Sequence, residues 1–108
     1  MATFAENLAR LESIDAFSKL ELFDAAGNLV ARIENMPGSQ GSLKVYRHLA
    51  EKWGAINPAA AEEGLRLYAE HSGDARRNPG KHPNIDRLFE IIKSGASYTA
   101  HLTPAAPV

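Results

Sequence analysis

Two periodicities alternate along the chain. Phe4, Leu8 and Leu11 recur at helical spacing, and Thr3 with Glu6 has the spacing of a capping box, in which a hydroxyl and a carboxylate each satisfy an orphaned backbone N–H. This predicts a short amphipathic helix over residues 4–12. From Ile14 the period changes to two. Leu20 and Leu22 alternate with Lys19 and Glu21, and Leu29, Ala31 and Ile33 alternate with Val30, Arg32 and Glu34. Ala25-Ala26-Gly27-Asn28 supplies the turn of a β-hairpin. Pairing Asp24 with Leu29 sets Leu22 opposite Ala31, Leu20 opposite Ile33 and Glu21 opposite Arg32, whereas a one-residue slip pairs apolar with charged side chains.

Pro37, Gly38 and Gly41 then interrupt the pattern. A second helix is expected over residues 42–53, with Ser42 at its cap, Tyr46, Leu49, Ala50 and Trp53 on its buried face, and Gly54 as its stop. Asn57 and Pro58 have the signature of an N-cap and first helical residue, opening a third helix with Ala61, Leu65 and Tyr68 as its stripe and Gly73 as its end. Glu62 and Glu63 favour its N-terminal dipole. Gly64 inside it costs about 1 kcal/mol of helix propensity, which points to close contact with another element. A polar loop is expected over 74–83. Asn84 then caps a fourth helix with Ile85, Leu88, Phe89 and Ile92 facing inward and Gly95 ending it. Residues 97–103 alternate again, with Tyr98, Ala100 and Leu102 on one face, and 104–108 are expected to be a frayed tail. The predicted class is α+β, in the order α-β-β-α-α-α-β: a small antiparallel sheet, hairpin plus C-terminal strand, covered by about four helices.

Composition narrows the function classes. At 108 residues the chain suits a single domain, 1–108. No apolar run approaches the roughly 20 residues that cross a membrane, so no membrane partner is expected. The absence of cysteine excludes disulfides, thiolate zinc sites and thiol catalysis. Twelve Lys and Arg against thirteen Asp and Glu leave a net charge of −1, which argues against a nucleic-acid partner. The opening Met-Ala-Thr-Phe-Ala-Glu has neither a basic nor an apolar leader region, so a cytoplasmic protein is expected.

Pro37-Gly38-Ser39-Gln40-Gly41-Ser42-Leu43 and Pro79-Gly80-Lys81-His82-Pro83-Asn84-Ile85-Asp86-Arg87-Leu88-Phe89 resemble a small family of uncharacterised bacterial proteins known as a domain of unknown function. The resemblance runs from Phe4 to Leu102. It implies a compact α+β fold in a bacterial cytoplasm and brings no catalytic residue with it.

Two segments have the chemistry of a site. Gly38, Ser39, Gly41 and Ser42 connect a strand to a helix, where backbone N–H groups and the helix dipole favour an anion, and Lys44 and Arg47 follow. The segment lacks the spacing of a P-loop or a dinucleotide fingerprint, so a plain connector, with Gly38 and Gly41 in turn dihedrals and Ser42 as a cap, is its simpler explanation. Residues 71–87 carry Arg76, Arg77, Lys81 and His82 on a stretch stiffened by Pro79 and Pro83, which also reads as an ordinary solvated connection. His71, Asp74, His82 and Asp86 are a nitrogen-and-oxygen ligand set for a metal, with Glu70 as a base, although no two-histidine helical motif supports it. No G-x-S-x-G elbow marks a nucleophilic serine. The reading these features favour is a non-catalytic binding or interaction domain, without a cofactor or metal, for an anionic small molecule or an acidic protein partner. A small metal-assisted hydrolase using His71, Asp74, His82 and Asp86 is the alternative, and an oligomeric structural module, such as a homodimer formed through a sheet edge, is the third reading.

Overall fold

The computed structural model describes residues 2–106 and realises the two periodicities as a sheet and a helical layer. The elements are α1 (Phe4–Ala9), β1 (Phe17–Phe23), β2 (Leu29–Glu34), α2 (Gln40–Trp53), α3 (Pro58–Tyr68), α4 (Glu70–Arg77), α5 (Pro83–Ser94) and β3 (Thr99–Pro104). The sheet is antiparallel throughout, in the order β2-β1-β3.

The hairpin register follows the alternation. Leu20 faces Ile33, Leu22 faces Ala31, and Glu21 faces Arg32, whose guanidinium donates to the Glu21 carboxylate at 3.1 and 3.2 Å. At the turn the pairing shifts by a bulge, so that Phe23, rather than Asp24, is partnered by Leu29. Asp24 is used inside the turn: its carboxylate accepts the N–H groups of Ala26 and Asn28 at 3.0 and 2.9 Å. Leu29, carried to the rim by that bulge, is 49% exposed.

Leu20, Leu22 and Ile33 form the sheet's share of a core completed by Leu43, Tyr46 and Leu49 of α2, Ala60, Ala61 and Tyr68 of α3, and Ile85, Leu88 and Ile91 of α5. α2 packs against all three strands, α3 packs on α2, and α5 packs on α3. Tyr46 is fully buried, with its hydroxyl donating to the Asn84 carbonyl at 2.5 Å, and burial pushes that hydroxyl up to about 12. Trp53, expected on the same face, is 38% exposed and donates through Nε1 to Glu63.

Several boundaries differ from the sequence pattern, each for a local reason. The third helix does not run to Gly73. It breaks at Ala69, which stands at φ 51 and ψ −117, and the chain re-enters a helix at once as α4. Among the described residues the helices therefore number five rather than about four, and residues 74–77 are helical instead of belonging to the polar loop. α2 begins two residues before Ser42, with Ser39 at the N-cap position, so Ser42 lies in the first turn, where its Oγ accepts from the Tyr68 hydroxyl. α5 begins at Pro83, and Asn84 lies inside its first turn, where its side chain accepts from Arg87 at 2.9 Å. The expected frayed tail is pinned at its start: Pro104 pairs with Phe17, and the Ala105 N–H donates to the Ala16 carbonyl at 2.8 Å. Residues 107–108 of that tail lie outside the described residues.

Glu63 departs furthest from its expected dipole role. It faces α2, is only 8% exposed, and accepts from His48 at 2.5 Å, Lys52 at 2.6 Å and Trp53 at 3.2 Å. Burial alone would raise its carboxyl. The hydrogen bonds from Lys52, His48 and Trp53 outweigh that effect and hold it below the usual carboxylate range.

Gly64 marks the close approach that its sequence position implies. A β-carbon there would lie 2.7 Å from Leu88 Cδ1 and 2.9 Å from Leu49 Cδ1, both in the closed core. Replacing Gly64 with Ala recovers about 1 kcal/mol of helix propensity but overpacks the junction at a typical cost of about 1–3 kcal/mol. Gly64→Ala is therefore expected to destabilise the protein by about 1 kcal/mol in a urea melt. A stabilised variant would show that the helices have room to separate.

Candidate functional site

The first turn of α2 and the connection between α4 and α5 face one another across a cleft of about 450 Å³. Gln40, Gly41 and Ser42 line one side, joined by Gly38 from the preceding turn. Lys81, His82 and the opening residues of α5 line the other. The two segments that the sequence marks separately thus share one concavity.

A series of rings forms part of its wall. Phe4 stacks on Tyr68 with centroids 5.2 Å apart and planes 18° from parallel. His71 meets Phe4 edge-on at 5.0 Å and 87°, and His82 lies 5.9 Å beyond His71, tilted by 49°. Phe4 reaches this position because α1 lies directly on α2. At Gly41 a β-carbon would come within 3.1 Å of the Phe4 ring and 3.3 Å of Leu8. α1 has only six residues and buries none of them, so its own ladder cannot sustain it. It is tied down by the Phe4 N–H donating to Glu70 at 2.8 Å, by Asn7 donating to the Leu67 carbonyl at 2.9 Å, and by Lys44 donating to the Leu8 carbonyl at 3.3 Å.

Beneath the rings, the Tyr68 hydroxyl donates to Ser42 Oγ at 2.6 Å. Burial raises the Tyr68 hydroxyl far above its ordinary value, so it remains a donor, and the Ser42 proton is free to serve another acceptor. Tyr68 and His71 flank Ala69, whose dihedrals match the first central position of a type II′ turn, a place that suits glycine. The turn redirects the chain so that Tyr68 closes the core while His71 reaches the cleft.

Asp74 organises the facing loop. One carboxylate oxygen meets His82 Nε2 at 2.6 Å and Lys81 Nζ at 3.1 Å, and the other accepts from Asn78 at 3.0 Å. The His82 hydrogen bond, then that of Lys81, holds the Asp74 carboxyl down at about 2. Asp86 accepts the Gly80 N–H at 2.9 Å and fixes the other end of the loop.

The remaining expected site residues lie elsewhere. Ser39 donates to the Glu34 carbonyl. Lys44 borders a neighbouring depression with Ser13 and Asp15. Arg47 is engaged by Glu12, Glu51 and the Ser13 carbonyl and lies over the Phe17 ring. Arg76 lies over Phe89, and the Arg77 guanidinium rests against Gly73. None of these five lines the cleft. Of the metal set, His82 and Asp74 form a pair, while Asp86 serves Gly80 and Glu70 serves Phe4. Among the described residues no three His, Asp or Glu side chains stand close enough to hold a metal ion together. The sequence pattern places Phe4 on the apolar side of a short amphipathic helix and Tyr68 in the stripe of the third helix. Their place in the cleft wall follows from a helix-on-helix contact that periodicity does not encode.

Fold and cleft together define a small α+β domain with a mixed apolar and hydrogen-bonding cleft on its helical side. Among the described residues no helix is long and apolar enough to cross a membrane. The chain belongs to the family DUF2322, described as an uncharacterized protein conserved in bacteria, whose model matches residues 4–102 and so spans the whole cleft. No curated protein and no solved structure matches the chain.

Two variants test this geometry. Ala69→Gly removes about 1–3 kcal/mol of backbone strain at a cost of about 0.4–1 kcal/mol in unfolded-state entropy, so a net gain of about 1 kcal/mol is expected by chemical denaturation. A loss would show that the turn is unstrained. For Asp74, the folded-state value of about 2 lies below the ordinary 3.8. Between those values the folded state binds fewer protons than the unfolded state, so stability present above pH 3.8 is lost as the pH falls towards 2. The acid limb of the stability profile should be shallower in Asp74→Asn, and an unchanged limb would show that the His82 and Lys81 contacts do not form in solution.

Proposed function

We propose that the chain is a small cytoplasmic binding domain, without catalysis, that takes an anionic small molecule in the cleft between α2 and the α4–α5 loop. One observation supports this reading above the others. The first turn of α2 opens into the cleft with no side-chain cap and no acidic residue to offset its dipole. The first N–H drawn into the α2 ladder is that of Leu43, which bonds the Ser39 carbonyl at 3.0 Å. The N–H groups of Gln40, Gly41 and Ser42 precede it and form the natural donor set for an anion. α1 and α3, by contrast, are capped by Thr3 and Asn57.

Across the cleft, Lys81 supplies a cation on a side chain that is 61% exposed. Asp74 opposes an incoming anion, but its charge is already shared among Lys81, His82 and Asn78. The balance favours modest affinity, carried by backbone donors and one exposed ammonium. Arg76 and Arg77 have no part in it, because they lie outside the cleft.

Titration with inorganic phosphate should move the amide resonances of Gln40, Gly41 and Ser42 together with those of Lys81 and His82, with saturation in the millimolar range. Lys81→Ala should weaken the response about threefold, in line with an exposed charge pair. Shifts on one side of the cleft alone, or an undiminished response in Lys81→Ala, would remove the case for an anion held between the two segments.

A further inference from the structure

Building on that reading, we infer that the anion taken by this cleft is carried on a planar aromatic ring, and that His71 is the residue that contacts the ring. The cleft volume of about 450 Å³ belongs to the range of small-molecule pockets, and a bare oxyanion leaves most of it empty. Its lining is more apolar than a phosphate requires, with Phe4, Leu8, Pro83 and Ile85 among the residues that face the space.

His71 points to the ring specifically. It is half-buried in the cleft wall, meets Phe4 edge-on, and lies at an open 49° to His82. Its two ring nitrogens make no hydrogen bond to any described residue, whereas His82 spends Nε2 on Asp74 and His48 spends Nε2 on Glu63. An imidazole held by ring contacts, with free polar atoms and a cleft before it, offers stacking area and hydrogen bonding to an aromatic or heteroaromatic ligand. A ring seated there would lie in the same concavity as the α2 donors, so one molecule with a ring at one end and an anionic group at the other can engage both.

The experiment compares three probes on the full chain: inorganic phosphate, phenyl phosphate and benzyl alcohol. Phenyl phosphate should bind about tenfold more tightly than inorganic phosphate, and benzyl alcohol more weakly than phenyl phosphate. Only the probes that carry a ring should produce ring-current shifts on the Leu8 and Ile85 methyl groups. His71→Ala should reduce the preference for phenyl phosphate to less than about threefold while leaving inorganic phosphate affinity unchanged. Phe4→Leu, which keeps an apolar anchor on α1, should reduce it in the same direction and serves as the second variant should His71→Ala fail to fold. Equal affinity for phosphate and phenyl phosphate would overturn the aromatic ligand and leave the anion site standing. Benzyl alcohol binding as tightly as phenyl phosphate would overturn the requirement for an anion. No binding of either phosphate would overturn both the ring inference and the function it rests on.

Discussion

At Gly64 three helices meet with no side chain to separate them, and the walls of the cleft are positioned from that junction. Leu88 of α5 and Leu49 of α2 occupy the space that any β-carbon would need. The approach brings the end of α3 against the start of α2, where the Tyr68 hydroxyl reaches Ser42. With Tyr68 fixed, its ring becomes the surface on which Phe4 stacks, and α1 gains a place that its own six residues could not hold. The cleft is the space left between α1, α2 and the loop entering α5. Its dimensions are therefore set by helix packing more than by the loops that carry its polar groups.

The hairpin was legible in the sequence because its pattern is over-determined. Apolar alternation and the Glu21–Arg32 charge pair demand the same register, and a slip would violate both. Gly64 was legible for a different reason, since a residue that weakens a helix is retained where nothing larger fits. α4 was not legible. Its buried contribution is Ala75 alone, so it offers no apolar stripe to read, and the break before it falls at alanine, the best helix former. Nothing local distinguishes Ala69 from Ala59 or Ala61. The turn there is imposed by the surrounding packing.

Cap residues and charges misled in a related way. Ser42 and Asn84 are residue types that favour N-caps, yet the Ser42 hydroxyl is claimed by Tyr68 from α3 and the Asn84 side chain by Arg87, one turn further along α5. The basic residues cluster along the chain but disperse in space. Arg47, Arg76 and Arg77 lie along other surfaces, and Lys81 alone of the expected cations reaches the cleft. Glu63 shows the reverse effect, since one carboxylate gathers His48, Lys52 and Trp53 from the facing helix into a polar tie beside the core. Sequence locates charges along the chain, but which charges share a cavity depends on crossings between elements far apart in it.

The strand order has a kinetic corollary. β1, the central strand, finds one neighbour across a short turn and the other only in β3, where Leu20 pairs with Leu102 after four intervening helices. The hairpin closes over a small loop, whereas the second ladder must wait for a far larger loop to close, which slows folding of topologies of this kind. Until β3 arrives, β1 presents an open row of backbone donors and acceptors, bordered by Leu20 and Leu22, to any other strand nearby. In the folded protein the helical layer covers the inner face that carries those leucines. A chain whose helices docked on the hairpin before β3 would therefore have that face shielded while the edge is still open.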